Sequence, residues 1–177
     1  YMKKIIEFSS PINLIESQKS VLKSLRTKAI HGPGIYTEKT LAALKKKFNF
    51  KKVLLTNSCT SALEIASIVI NLKKGDEVLM PSYTFITTGG SFARTKAKIV
   101  YCDISRKDLM PSFEDIKSKV TIKTKAIVIV HYQGFCVDYL LELAIFCKKK
   151  NIVLVEDAAQ AIGTKFKNKY LGTIGDL

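Results

Sequence analysis

Five apolar runs, beginning near Val53, Val78, Ile99, Ala126 and Val153, recur 21 to 27 residues apart. Each is short, and β-branched residues are frequent in them. The interval fits one strand plus a crossover, often helical. The pattern predicts an α/β, three-layer fold with a mainly parallel sheet wrapped by helices. The sequences between the runs do not repeat, so a solenoid is excluded. Ahead of them, residues 14–29 read as a helix with Ile15, Val21, Leu22 and Leu25 on its apolar face, after a break at residues 9–11. The loop His31-Gly32-Pro33-Gly34 ends it, and a second helix opens at Thr37 and runs to Phe48. Later helices are expected over 62–72, from a Ser112 cap to Lys119, and over 138–150. Lys165, Lys167 and Lys169 flank Asn168 in what reads as a surface hairpin.

The 177 residues suffice for one domain with a sizeable core, and 47% of them are hydrophobic, which excludes a disordered chain. No apolar run approaches the length of a membrane span, and the opening YMKKIIEFSSP does not read as a signal peptide. Cys59, Cys102, Cys136 and Cys147 show no CxxC spacing; two lie in or beside apolar runs, as buried thiols of a reducing cytoplasm do. With His31 and His131 as the two histidines, no metal-ligand set is expected. Lys plus Arg is 29 against 15 acids, a formal charge of +14. The lysines are scattered over turns and helix faces, which reads as a solvated surface rather than a nucleic-acid footprint. A polyanionic small substrate also suits this balance.

The ends of the runs carry the chemistry. In an open parallel sheet, ligands sit beyond the carboxyl ends of the strands. Residues 53–56 lead into Asn57-Ser58-Cys59-Thr60-Ser61, a polar turn opening a helix. Such a turn offers backbone N–H groups and a positive helix end to a phosphate, unless Ser58 acts only as a cap. The second run ends in Pro81-Ser82-Tyr83-Thr84-Phe85, where an aromatic either stacks on a flat ligand or fills the core. The fourth ends in His131-Tyr132-Gln133-Gly134, with His131 either an acid–base group or a packed histidine. The last, Asn151 to Gly163, reads NIVLVEDAAQAIG. Its Asp157 either meets a ligand or caps the next segment. Taken together, one sheet edge gathers a phosphate-type turn, an aromatic, a histidine and an acid. Pyridoxal 5'-phosphate (PLP) is a flat, phosphorylated ring whose nitrogen an acid keeps protonated, so it meets that description.

TNSCTSALEIA (56–66), GDEVLMPSYTF (75–85), IVIVHYQG (127–134) and VEDAAQAIG (155–163) stand in order at matching intervals. Together they resemble the DegT/DnrJ/StrS family of PLP-dependent sugar-nucleotide aminotransferases, from about Gly32 to Leu177. The resemblance implies the large domain of the PLP-dependent transferase fold type I, the aspartate aminotransferase fold, in truncated form. It divides the chain into an N-terminal helical segment, 1–50, and an incomplete PLP-binding large domain, 51–177, without the small C-terminal domain. It implies transfer of an amino group from glutamate to a nucleotide-linked 4-keto-6-deoxy sugar, most closely a dTDP-linked one, by a homodimer in the cytoplasm that serves polysaccharide biosynthesis. Carried over by motif, Asp157 pairs with the ring nitrogen and Gln160 bonds the phenolic oxygen. Phe85 stacks on the ring, Cys59 and Thr60 hold the phosphate, and His131 lies near the site.

The family's Schiff-base lysine falls after the segment matching LGTIGDL, beyond Leu177. Tyr1 ahead of Met2 also reads as a clipped protein. The expectation is therefore that these 177 residues alone do not turn over. A PLP-dependent sugar dehydratase of the same fold, with histidine in place of that lysine, and a non-catalytic binding homologue are the alternatives.

Overall fold

The computed structural model describes residues 14–27, 32 and 34–177. The expected break at 9–11, and His31 and Pro33 of the loop, lie outside the described residues. The chain divides into two compact units, residues 1–53 and 54–177.

The first unit carries both predicted helices, α1 (Ile15–Arg26) and α2 (Ile35–Phe48). In α1, Glu16 in the first turn and Lys23 and Arg26 in the last complement the helix dipole. Gly34 in extended conformation precedes α2, and Asn49 ends it in the left-handed conformation, φ 58°.

The second unit holds a four-stranded parallel sheet of β1 (Glu77–Pro81), β2 (Lys98–Cys102), β3 (Thr124–Val130) and β4 (Val153–Asp157), in the order β2-β1-β3-β4. Its helices are α3 (Cys59–Val69), α4 (Ile86–Ala93), α5 (Phe113–Lys119) and α6 (Leu140–Lys150). Alternate strand residues face two separate cores. Val78, Met80, Ala126 and Val128 pack with Leu63 of α3 and Phe92 of α4. Leu79, Ile127, Ile129 and Leu154 pack with Ile116 of α5 and Leu143 of α6. Both faces are covered, which is why the strands read as unbroken apolar runs. The hairpin is present as β5 (Lys165–Phe166) and β6 (Lys169–Tyr170). Lys167 and Asn168 both take positive φ, 45° and 67°, as a two-residue hairpin turn requires. All three lysines are exposed, as expected.

Two expectations change. The first apolar run, residues 53–56, belongs to no strand of the sheet. Leu54 is 76% exposed, so the run has composition for a strand but no neighbour to pair with among the described residues. Conversely, α4 forms over ITTGGSFA, a stretch whose paired glycines and threonines carry little helix propensity. Its Ser91 hydroxyl donates to the Thr87 carbonyl (2.7 Å) and to that of Thr60 in α3 (3.4 Å), so α4 is held by packing and polar ties to α3.

Candidate active site

The chain runs from β1 out to β2 and then back across β1 to β3 and β4, so the strand order reverses between β1 and β3. A crevice at the carboxyl ends of the strands is the consequence. A cavity of about 400 Å³ lies there, within the range of small-molecule sites. Its wall includes Cys59 and Thr60 from α3, Tyr83 to Phe85 after β1, His131 after β3, and Asp157 and Gln160 at the end of β4. All six residues singled out from the sequence, Cys59, Thr60, Phe85, His131, Asp157 and Gln160, meet in this one cavity.

The α3 end is built as a cap. The Ser58 hydroxyl accepts from Ser61 N–H (3.1 Å), and Ala62 N–H begins the helical ladder on the Ser58 carbonyl (3.2 Å). The N–H groups of Cys59 and Thr60 precede that ladder and are the donors of the first turn. The Thr60 and Thr87 hydroxyls share a 2.8 Å hydrogen bond, which ties this turn to α4. Ser58 thus caps the helix, and the phosphate-type geometry is present alongside.

Asp157 is buried, 6% exposed. Its Oδ2 accepts from the Thr88 hydroxyl (2.9 Å); its Oδ1 accepts from Ala159 N–H (3.3 Å) and the Cys59 thiol (3.5 Å). The Cys59 thiol is pushed up to about 11, by burial first and then by the charge and hydrogen bond of Asp157. Phe85 is 69% exposed, so its ring is not core. Gln160 accepts from Gln133 N–H through its amide oxygen (2.7 Å), leaving the amide NH₂ as the group for a ligand. His131 is fully buried, with Nε2 2.8 Å from Glu156 Oε2.

Two residues that matter were not anticipated. Thr88 is the nearest donor to Asp157, but it lies on the unforeseen α4. Glu156, next to Asp157 in sequence, is a buried hub for His131 and the segment 172–177. A charged residue inside an apolar strand was the available signal, since such a group is buried only with partners.

Across the cavity wall, the Tyr83 hydroxyl donates to that of Tyr132 (3.3 Å), with the rings edge to face at 5.1 Å. These two tyrosines also bound a second cavity of about 530 Å³, lined further by Lys107, Phe135 and Tyr139.

Residues 13–177 match the DegT/DnrJ/EryC1/StrS aminotransferase family. The chain belongs to that family. It is similar to GDP-perosamine synthase of Escherichia coli O157:H7, 31% identical over 98% of this chain and 48% of that protein. The chain therefore spans about half the length of that relative. Among solved structures, it resembles a putative sugar aminotransferase of Streptococcus pneumoniae in its PLP form, with TM-score 0.85 and 28% identity, covering 97% of this chain and 47% of that one. It also resembles the E. coli GDP-4-keto-6-deoxy-D-mannose-3-dehydratase with bound hydrated PLP, with TM-score 0.86 and 26% identity, covering 94% and 44%. The parallel sheet and its helices are those of the large domain of fold type I. Pyridoxal phosphate is the cofactor of this family site.

The cavity itself fits such a group. Among the described residues, two buried side-chain polar atoms lack a partner, Thr84 Oγ1 and His131 Nδ1, and both residues line it. Buried polar atoms without a protein partner are where a bound polar group would supply one. No lysine is among the lining residues.

Proposed function

We propose that the chain carries the cofactor-binding part of a PLP-dependent aminotransferase for a nucleotide-linked 4-keto-6-deoxy sugar, with glutamate as donor. The observation that carries this reading is the convergence of a capped helix start, an exposed aromatic and a buried carboxyl in one cavity. When bound, PLP supplies an electron sink for charge developing at a substrate carbon. In this reading Asp157 faces the ring nitrogen and holds its proton there, while Thr88 and Ala159 N–H keep the carboxyl in place. Phe85 covers the ring face. The Cys59 and Thr60 N–H groups and the Thr60 hydroxyl take the phosphate, aided by the α3 dipole. The Gln160 NH₂ would donate to the phenolic oxygen, and His131 lies near the site. The adjoining cavity beyond Tyr83 and Tyr132, with Lys107 as a cation and Phe135 and Tyr139 as ring surfaces, supports a nucleotide-sized substrate.

The finer assignments belong to the same proposal. A dTDP-linked sugar is the narrower expectation, whereas the E. coli relative is named for a GDP-linked product. The exposed Ile65, Ile68 and Val69 of α3 support a homodimer, and four free cysteines suit the cytoplasm. Polysaccharide biosynthesis is the role that the family resemblance implies. A 3-dehydratase is the second reading, favoured by the similarity to the E. coli dehydratase. Release of water rather than amino transfer from glutamate distinguishes it.

The test is a PLP titration of this chain followed by absorbance. Saturable binding is expected, and Asp157→Ala should weaken it roughly 10–100-fold, the value of a hydrogen bond to a charged group. Equal affinity in the variant would remove Asp157 from the site. Because no lysine lines the cavity, borohydride reduction of the mixture should give only scattered, substoichiometric surface-lysine adducts by mass spectrometry. A single stoichiometric lysine adduct would overturn the expectation that the chain alone does not turn over.

A further inference from the structure

The cofactor cavity and the adjoining cavity of about 530 Å³ share part of a wall. Among the described residues, Tyr83 and Tyr132 are the two that line both. Tyr83 follows β1, and Tyr132 opens the short turn Tyr132–Gly134 after β3. Tyr83 is 41% exposed and Tyr132 is half-buried, so neither ring is core. Their hydroxyls stand 3.3 Å apart, and the bond between them uses one of two protons. One O–H is therefore left at the junction of the cavities; as the bond stands, Tyr83 donates and Tyr132 keeps it. The hydrogen bond to Tyr132 is the first cause that pushes the Tyr83 hydroxyl above the usual phenol range, so it stays a proton donor at neutral pH.

The turn that carries Tyr132 is fixed from the cofactor side. Gln133 takes φ 52° and ψ 23°, a left-handed conformation that a residue with a Cβ keeps only when its surroundings hold it. Its N–H donates to the Gln160 amide oxygen at 2.7 Å. Gly134 N–H and Phe135 N–H close the turn onto the His131 and Tyr132 carbonyls, both at 3.0 Å. The adjoining cavity has a different character. Lys107 lines it together with Asp108 and Asp138, so an anion deep inside would meet acids as well as a cation. The Phe135 ring, 67% exposed, offers that cavity a stacking face. The neutral hydroxyls at the junction suit an anion better than the acids beyond them.

A nucleotide-linked sugar has a fixed order of groups: sugar, outer phosphate, inner phosphate, nucleoside. The sugar has to lie beside the cofactor to react. With the nucleoside in the adjoining cavity, the groups that cross the junction are phosphates. We propose that the Tyr83–Tyr132 pair is a binding element for the substrate's diphosphate, its free O–H donating to the phosphate that carries the sugar. The inference rests on the PLP reading of the first cavity and adds the group by which the chain would select a diphosphate-linked substrate. Two hydroxyls that share one bond can stand in for each other, so the pair rather than either tyrosine alone is the unit.

The experiment is equilibrium dialysis of the chain against dTDP, GDP, dTMP and GMP, with PLP titrated alongside by absorbance. The variants are Tyr83→Phe, Tyr132→Phe and the two together, which keep both rings and remove only hydroxyls. The double variant should bind its better diphosphate roughly tenfold more weakly, the loss of about one hydrogen bond to a charged group. Each single variant retains one hydroxyl and should lose less than about threefold. The monophosphates lack the outer phosphate, so the double variant should bind them less than about twofold more weakly. Diphosphate affinity equal in the double variant and the unaltered chain would overturn the inference. So would an equal loss for the monophosphates, or a loss of PLP affinity as large as that for the diphosphates, since the tyrosines would then only shape the wall. PLP binding with no nucleotide binding would overturn the inference and leave the cofactor reading intact. An absence of PLP binding altogether would instead overturn the cofactor reading, and the inference would fall with it.

Discussion

A thiol at the first turn of a helix is ordinarily activated, because the positive helix end favours the thiolate. Cys59 occupies that position and has the opposite character. Burial of the sulfur, the Asp157 charge 3.5 Å away and the hydrogen bond to it push the thiol up to about 11. Burial first, and then the full Asp157 charge in contact, work against the helix end. At about pH 8, Cys59 should therefore alkylate roughly a hundredfold more slowly than a free thiol near 8.5. The measurement is iodoacetamide labelling followed by peptide mass spectrometry. Asp157→Asn removes the charge and should speed the reaction; an unchanged rate would show that burial alone sets it. The other three cysteines are pushed up to about 11 or 12, chiefly by burial, so they form a slow background.

At the scale of elements, the segment 172–177 behaves as a cover for β4. Asp176 N–H and Leu177 N–H both donate to the Leu154 carbonyl, at 2.8 and 3.3 Å, and Leu154 N–H donates to Asp176 Oδ2 at 2.9 Å. Gly175 makes this possible. A Cβ there would lie 2.7 Å from the Leu154 carbonyl oxygen and 3.3 Å from Glu156 Cγ. The first of these is backbone within a strand and cannot swing aside. Gly175→Ala should therefore cost about 1–3 kcal/mol, as overpacking of a tight site does. Urea unfolding would check it, and a loss below about 0.5 kcal/mol, the scale of an ordinary surface change, would show that the segment is loosely held. The same elements show what was legible in the sequence. Strands covered on both faces announce themselves by composition, and the Lys167-Asn168 turn by its residues. Residues 53–56 carry an equally apolar signal, but a strand exists only where a neighbour pairs with it. The glycines of α4 hid that helix and with it Thr88. The residues at the strand ends were readable because parallel topology brings all such ends to one edge. For Glu156 an acid in an apolar strand signalled burial, but its partners were hidden, because its donors lie 16 to 25 residues away and nothing local marks them.

At the scale of the whole molecule, acid is the condition that tests how the pieces are joined. The chain carries +14 at neutral pH, so protonating carboxylates adds to an existing excess of positive charge and favours expansion. Against that common background, Glu156 contributes a specific dependence. Burial raises its affinity for protons, but the His131 hydrogen bond and the Gly175, Gly172 and Ile174 N–H groups prevail and hold it below the usual carboxylate range. A carboxyl depressed in the folded state stabilises fully above its unfolded value, about 4.3 for Glu, and loses that contribution as pH falls through the lower folded value. Glu156 ties β3, β4 and the segment 172–177 together, so this loss should appear in global unfolding rather than in one loop. The expected result is that the unfolding free energy of the unaltered chain exceeds that of Glu156→Gln by a constant amount above about pH 5, and that the gap narrows below about pH 4. Self-repulsion acts almost equally on both proteins and largely cancels in the difference. A gap that stayed constant down to about pH 3 would mean that the amide and the carboxylate differ only in packing, and that Glu156 is not depressed in the fold.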